Sequence, residues 1–228
     1  MIEWIPQPVK KALLYFHSAG TNSTELLPFV DHLKSNLPDT YLWAGDGVIS
    51  GSPIINDGTF YGEAENRYWF MFPMKDASSS ESFHANKKQV GASLLSASGY
   101  VNLCIDQIRS RFDLNSSQLL VSGYRHGGCI ALSAAMMRKD DPIRGAILID
   151  PFILEALYLS NEHVQKNTAV YCVENSFMRK RTYDLVQIYT EQEFKEMGIT
   201  VNNITVPGDG NRLGWDIIDA MIEIVKEM

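Results

Sequence analysis

Residues 121–132 read VSGYRHGGCIAL. The run Ser117–Ser122 (SQLLVS) leads into it, and a stretch of small residues, GGCIALSAAMMRK, leads out. An apolar run of that length predicts a buried strand, and the small-residue stretch a helix over 126–139. Gly123 and Gly127 bracket the three residues between them. Glycines in those places allow a turn too sharp for residues that carry a Cβ. A strand joined to a helix by so tight a turn is half of a βαβ unit, which implies a parallel sheet.

The rest of the chain repeats the alternation. Lys11 to His17 (KALLYFH) is an apolar run ending in Ser18-Ala19-Gly20, a strand-to-loop signal. Residues 25–37 carry Leu26, Leu27, Val30 and Leu33 at helical spacing. Ser23 or Thr24 is the expected cap, and Pro28 is tolerable in the first turn. Further strands are expected at 40–44, 145–149, 169–173 and 200–206, and further helices at 89–112, 183–197 and 215–228. Residues 45–88 show no clear period; short elements are expected there, with Ser78–Glu81 as an exposed tip. The expectation is a single domain, 1–228, built as a three-layer α/β/α sandwich with a mainly parallel sheet of about six strands. Ligands of such folds sit at the carboxyl ends of the strands, which singles out the loops at 17–22, 45–60, 123–127, 150–156, 174–182 and 207–214.

Composition narrows the function classes. A net charge of −7 argues against a nucleic-acid binder, which needs a basic face. Cys104, Cys129 and Cys172 each lie inside an apolar segment, which reads as reduced thiols, not a disulfide framework. The opening MIEWIPQPVKK has no apolar run of signal-peptide length, and no stretch approaches the roughly 20 apolar residues of a membrane span. A cytoplasmic protein is expected. The histidines are scattered without metal-ligand spacing, and the sequence calls for neither a metal nor a cofactor.

The turn at 123–128 has the outline of a nucleophile elbow, and here the chain resembles the carboxylesterase, phospholipase and acyl-protein thioesterase branch of the α/β-hydrolase superfamily. That branch commonly reads G-F-S-Q-G-G where this chain reads Gly123-Tyr124-Arg125-His126-Gly127-Gly128. LLYFHSAGTN is similar to its L-H-G-x-G-x-N oxyanion loop, with Ser18 in place of the first glycine. Asn66-Arg67-Tyr68-Trp69-Phe70 resembles its R-x-W-F/Y segment, and ITVPGDGNRLGW its Y-P-G-x-G-H segment. The resemblance implies a Ser-His-Asp triad, yet it sets Arg125 at the nucleophile position, Asn211 at the histidine position and Met178 at the acid position.

Chemistry follows from the residue types. A guanidinium is neither nucleophile nor base, because it keeps its proton in proteins. Asn211 cannot shuttle a proton near neutral pH. The expected function is an esterase-like pseudoenzyme whose former active site holds an anionic small molecule or an acidic protein segment. Arg125, Arg179, Arg181 and Arg212 would supply positive charge; His17, Ser18, Ala19 and His126 would line the site. Arg125 could instead plug the pocket, paired with Glu174, Asp150 or Asp209. An alternative is a weak carboxylesterase or thioesterase in which His126 and Asp150 activate water. In a third reading the aromatic segment 54–74 serves a scaffold, although such clusters are more often lid or core.

Overall fold

The computed structural model describes residues 1–50, 67–70, 80–151, 167–175, 194, 198–208 and 213–227, with the backbone alone for 80–89. Seven strands form one sheet: β1 (Ile2–Trp4), β2 (Lys11–Phe16), β3 (Thr40–Gly45), β6 (Leu119–Tyr124), β7 (Gly145–Ile149), β8 (Ala169–Asn175) and β9 (Val201–Val206). A two-stranded ladder joins β4 (Ile49–Ser50) to β5 (Arg67–Tyr68). The main sheet runs β1-β3-β2-β6-β7-β8-β9, parallel throughout except for antiparallel β1 at its edge. The sequence reading missed only β1 of these seven. Its three residues are too short to show a period, and Pro6 and Pro8 follow closely.

Side chains of each strand alternate between two apolar layers. Ala12, Leu14 and Phe16 of β2 join Val121 and Leu148 on the face covered by α2 (Ser80–Phe112) and α3 (His126–Met136). Leu13 and Tyr15 join Leu120 and Ile147 under α1 (Val30–Asn36) and α4 (Trp215–Glu227). The structure is thus an α/β/α sandwich. Val90, Leu94, Val101, Ile105 and Ile108 line the buried face of α2, as their spacing predicts. The helix starts at Ser80, nine residues before the expected start at 89, so Ser80 and Glu81 belong to a helix and not to a loop tip. Ser98 Oγ donates to Ser133 Oγ at 2.7 Å, a contact that small residues on both helices permit.

The 25–37 segment is split. A 3-10 helix over Ser23–Phe29 precedes α1, and its cap is Asn22, whose Oδ1 accepts from the Thr24 amide at 2.9 Å. Asn22 thus takes the role expected of Ser23 or Thr24. The helix expected over 183–197 lies outside the described residues apart from Phe194. Tyr68, Trp69 and Phe70 are buried. Cys104 is half-buried, whereas Cys129 and Cys172 are buried; none of the three is in a disulfide.

Candidate functional site

β6 delivers its chain to α3 through Arg125, which stands at φ 50° and ψ −105°. A non-glycine residue at positive φ is strained, and the strain persists only where the surroundings impose it. Here they do. The Arg125 amide donates to the Ile149 carbonyl at 2.8 Å, and its carbonyl accepts from the Cys129 amide at 3.2 Å. A Cβ on Gly123 would lie 2.2 Å from the Gly127 carbonyl oxygen, and one on Gly127 would lie 1.9 Å from that of Phe16. The turn is therefore pressed against the end of β2 on one side and tied to β7 on the other. Arg125 itself is partly exposed, with its guanidinium carbon 5.2 Å from the centre of the Tyr124 ring.

Two carboxylates are close enough to feel the charge of this cation. Asp150 follows β7, is buried, and also has a positive φ, 41°. Its oxygens accept from the Asn175 amide at 3.0 Å and from Asn175 Nδ2 at 2.9 Å. Burial pushes its pKa up to about 6, opposed by the Asn175 bonds and the charge of Arg125 and assisted by Glu174. Glu25 is the second, held by β2 and the loop that follows it. It accepts from Tyr15 Oη at 2.5 Å, Thr21 Oγ1 at 3.0 Å and the Ser18 amide at 3.4 Å. Burial raises its pKa, while those bonds and the Arg125 charge pull it down. Tyr124 is pushed up to about 12, mainly by burial, with Asp150 and Glu25 adding to the rise and Arg125 opposing it.

Two histidines lie at the same strand ends, and His17 Nδ1 is 3.3 Å from Thr21 Oγ1, which also bonds Glu25. His17 Nδ1 lies 2.6 Å from the Ser18 carbonyl, and its Nε2 accepts from the Gly47 amide at 2.8 Å. Acceptance at Nε2 makes Nδ1 the protonated nitrogen, so the neutral ring fastens one loop to another. Its backbone carbonyl accepts from Trp69 Nε1 at 3.1 Å. His126 is fully buried and stacks on Phe70 with ring centres 3.9 Å apart. Burial, then the nearby His17, lowers its pKa to about 3. An imidazole with so low a pKa is a weak base at neutral pH.

Arg125, Asp150, His17, Ser18, Ala19 and His126 thus come together at the carboxyl ends of β2, β6 and β7. Asp150 is held by Asn175, while His126 packs on Phe70 with Tyr68 edge-on at 6.4 Å. Met178, Arg179, Arg181, Asn211 and Arg212 lie outside the described residues, as does Asp209. Glu25, Tyr15 and Asn175 are the participants that sequence reasoning missed. Asn175, directly after Glu174 at the end of a strand, lay within a loop already marked as a ligand loop. No local pattern marks Tyr15, which reads as one more apolar strand residue. Among the described residues, no group of three or more His, Cys, Asp or Glu could hold a metal, and no helix is long and apolar enough to cross a membrane.

No family model matches the chain, and no curated protein matches it. Solved structures do. Esterase PE8 superposes with a TM-score of 0.70 at 14% identity, over 99% of this chain and 96% of that one. The chain has the α/β-hydrolase fold. SOBER1 of Arabidopsis thaliana gives a TM-score of 0.70 at 16% identity, covering 96% of this chain and 99% of its own. YahD, solved with malic acid, gives 0.63 at 15% identity, covering 96% and 93%. Identities this low carry the α/β-hydrolase architecture and leave the chemistry to the site itself.

Proposed function

We propose that this chain is an esterase-like pseudoenzyme, and that it holds an anionic small molecule or an acidic protein segment at the carboxyl ends of β2, β6 and β7. The observation that carries the proposal is the guanidinium of Arg125 at the strained elbow turn, φ 50°. Acyl transfer requires a nucleophile at that place and a base within hydrogen-bond reach of it. Arginine supplies neither, and the proposal extends the loss to Met178 and Asn211 at the remaining triad positions. What arginine does supply is a permanent positive charge with donors in a planar fork, suited to carboxylate or phosphate. YahD with malic acid offers a precedent within the same fold for a small dicarboxylate. Three cysteines outside any disulfide support a cytoplasmic setting.

The test is a thermal-shift and calorimetric titration with inorganic phosphate and small dicarboxylates. The wild type is expected to gain stability with ligand, and Arg125→Ala to lose that response. Equal responses in both proteins would remove the binding reading.

A second reading, a weak hydrolase using His126 and Asp150, draws on one observation: Asp150, near 6, lies in the range of a general base. Turnover of p-nitrophenyl acyl esters that vanishes in both His126→Ala and Asp150→Asn would favour it over the pseudoenzyme.

A further inference from the structure

We infer that the outward face of α2 between Ala92 and Gln107 docks a second copy of this chain, antiparallel and face to face, about a two-fold axis beside Gly99.

The side of α2 that meets the core is filled by Val90, Leu94, Val101, Ile105 and Ile108. The opposite side of a surface helix ordinarily carries charge. Here it does not. From Ala92 to Gln107 the helix has one charged residue, Asp106, and Arg138 Nη2 already donates to it at 2.9 Å. The exposed positions are Ala92, Leu95, Ser96, Tyr100, Leu103 and Gln107. Of these, Leu95 is 36% exposed, Tyr100 45% and Leu103 63%, so three large apolar side chains share one uncovered face.

Gly99 lies in the middle of that face. A glycine inside a helix weakens it relative to alanine. The chain's own packing does not ask for one, because a Cβ built on Gly99 would meet no atom within 4 Å outside its own stretch of helix. Gly123 and Gly127 differ, since a Cβ on either would strike backbone. What Gly99 provides is a notch on the outside of the molecule, where a neighbouring helix can approach closely.

The face also matches itself. Leu95 and Leu103 lie four residues to either side of Gly99, on one line along the helix and about 6 Å from it. A two-fold axis perpendicular to the helix sets Gly99 on its own copy and Leu95 of each chain against Leu103 of the other. Tyr100 of both chains then falls at one edge of the contact. Charge selects this occupant. Two copies of a chain with net charge −7 repel, and they meet at least cost where neither presents a free carboxylate. A basic protein partner would find no such carboxylate on this face. Arg109 and Arg111, further along α2, are paired with Asp141 and Glu3, and a crossed pair of helices carries those ends apart. One helix crossing buries less than the roughly 1,600 Å² of a standard interface, so the dimer is weak, with a Kd on the order of tens of micromolar.

The test is sedimentation velocity of the full chain from about 1 µM to about 1 mM. The wild type is expected to pass from monomer to dimer across that range. Leu103→Lys, at the most exposed of the three apolar side chains, is expected to stay monomeric with an unchanged melting temperature. Gly99→Ala is expected to weaken association about tenfold or more while raising the melting temperature of the monomer. A lower melting temperature would mean that Gly99 serves the chain's own packing, and would overturn the inference. Gly99→Cys in a Cys104→Ser background is expected to give a disulfide-linked dimer under mild oxidation. A wild type that is monomeric at every concentration would overturn the inference, and so would a dimer that survives Leu103→Lys and forms no cross-link at position 99. A monomer that instead co-sediments with phosphatidylcholine vesicles, and loses them in Leu103→Lys, would give the face to a lipid surface and overturn the inference as well.

Discussion

Val121, Leu148 and Val170 sit inside the sheet on β6, β7 and β8, fully buried among apolar neighbours. A few residues on, the same three strands end in Arg125, Asp150 and Asn175, two of which have a positive φ. The first set is what any parallel sheet covered on both faces requires. Nothing in the demands of packing asks for the second set. Backbone strain and a buried carboxylate with a raised pKa both cost stability, and they gather at the end of the sheet where ligands of such folds bind. The difference teaches where this chain departs from its own structural rule: the interior is built for stability and the rim for holding charge.

The largest effect should come from the seam between the two regions. Gly127→Ala forces a Cβ to within 1.9 Å of a backbone oxygen, and relief requires moving β2 or the elbow. A loss of about 4 kcal/mol or more, or failure to fold, is expected in urea denaturation. Next comes the interior alone. Ile218 on α4 is fully buried in the layer with Leu13 and Ile147, and Ile218→Ala is expected to cost about 3–4 kcal/mol with anion binding intact.

The rim should respond to pH where the interior does not. Asp150 has its folded pKa raised from 3.8 to about 6. The folded state therefore binds its proton more tightly than the unfolded chain does. Asp150's contribution to stability is largest below the unfolded value, falls as pH rises from about 4 to about 6, and is level above that. Compared with Asp150→Asn, the wild type is expected to lose roughly 2–3 kcal/mol across that window, and parallel stability profiles for the two proteins would contradict the assignment. The smallest effect isolates the backbone. Arg125→Gly and Arg125→Ala both remove the charge, but only glycine relaxes at φ 50°. The glycine variant should be more stable than the alanine variant by about 1 kcal/mol in thermal or urea melts.

Much of the interior was legible in the sequence because it follows from periodicity. The apolar runs ending at His17, Ser122 and Ile149 announce strands, and Val90 to Ile108 announce one face of a helix. What escaped were features without a period: β1 beside its prolines, the 3-10 turn over Ser23–Phe29, and the polar start of α2 from Ser80. The site was legible only in part. Gly123 and Gly127 pointed to the elbow because a tight turn has few sequence solutions. Glu25 did not stand out, since its role depends on Tyr15, ten residues away on a strand. Contacts made by the fold leave no local pattern.

The central claim is that the side chain at the elbow cannot form an acyl intermediate. It is tested most directly by intact-mass analysis of the purified protein after incubation with a fluorophosphonate probe and, separately, with a p-nitrophenyl acyl ester. The account expects the unmodified mass in both cases. A stoichiometric adduct that maps to the segment around Arg125 would contradict it.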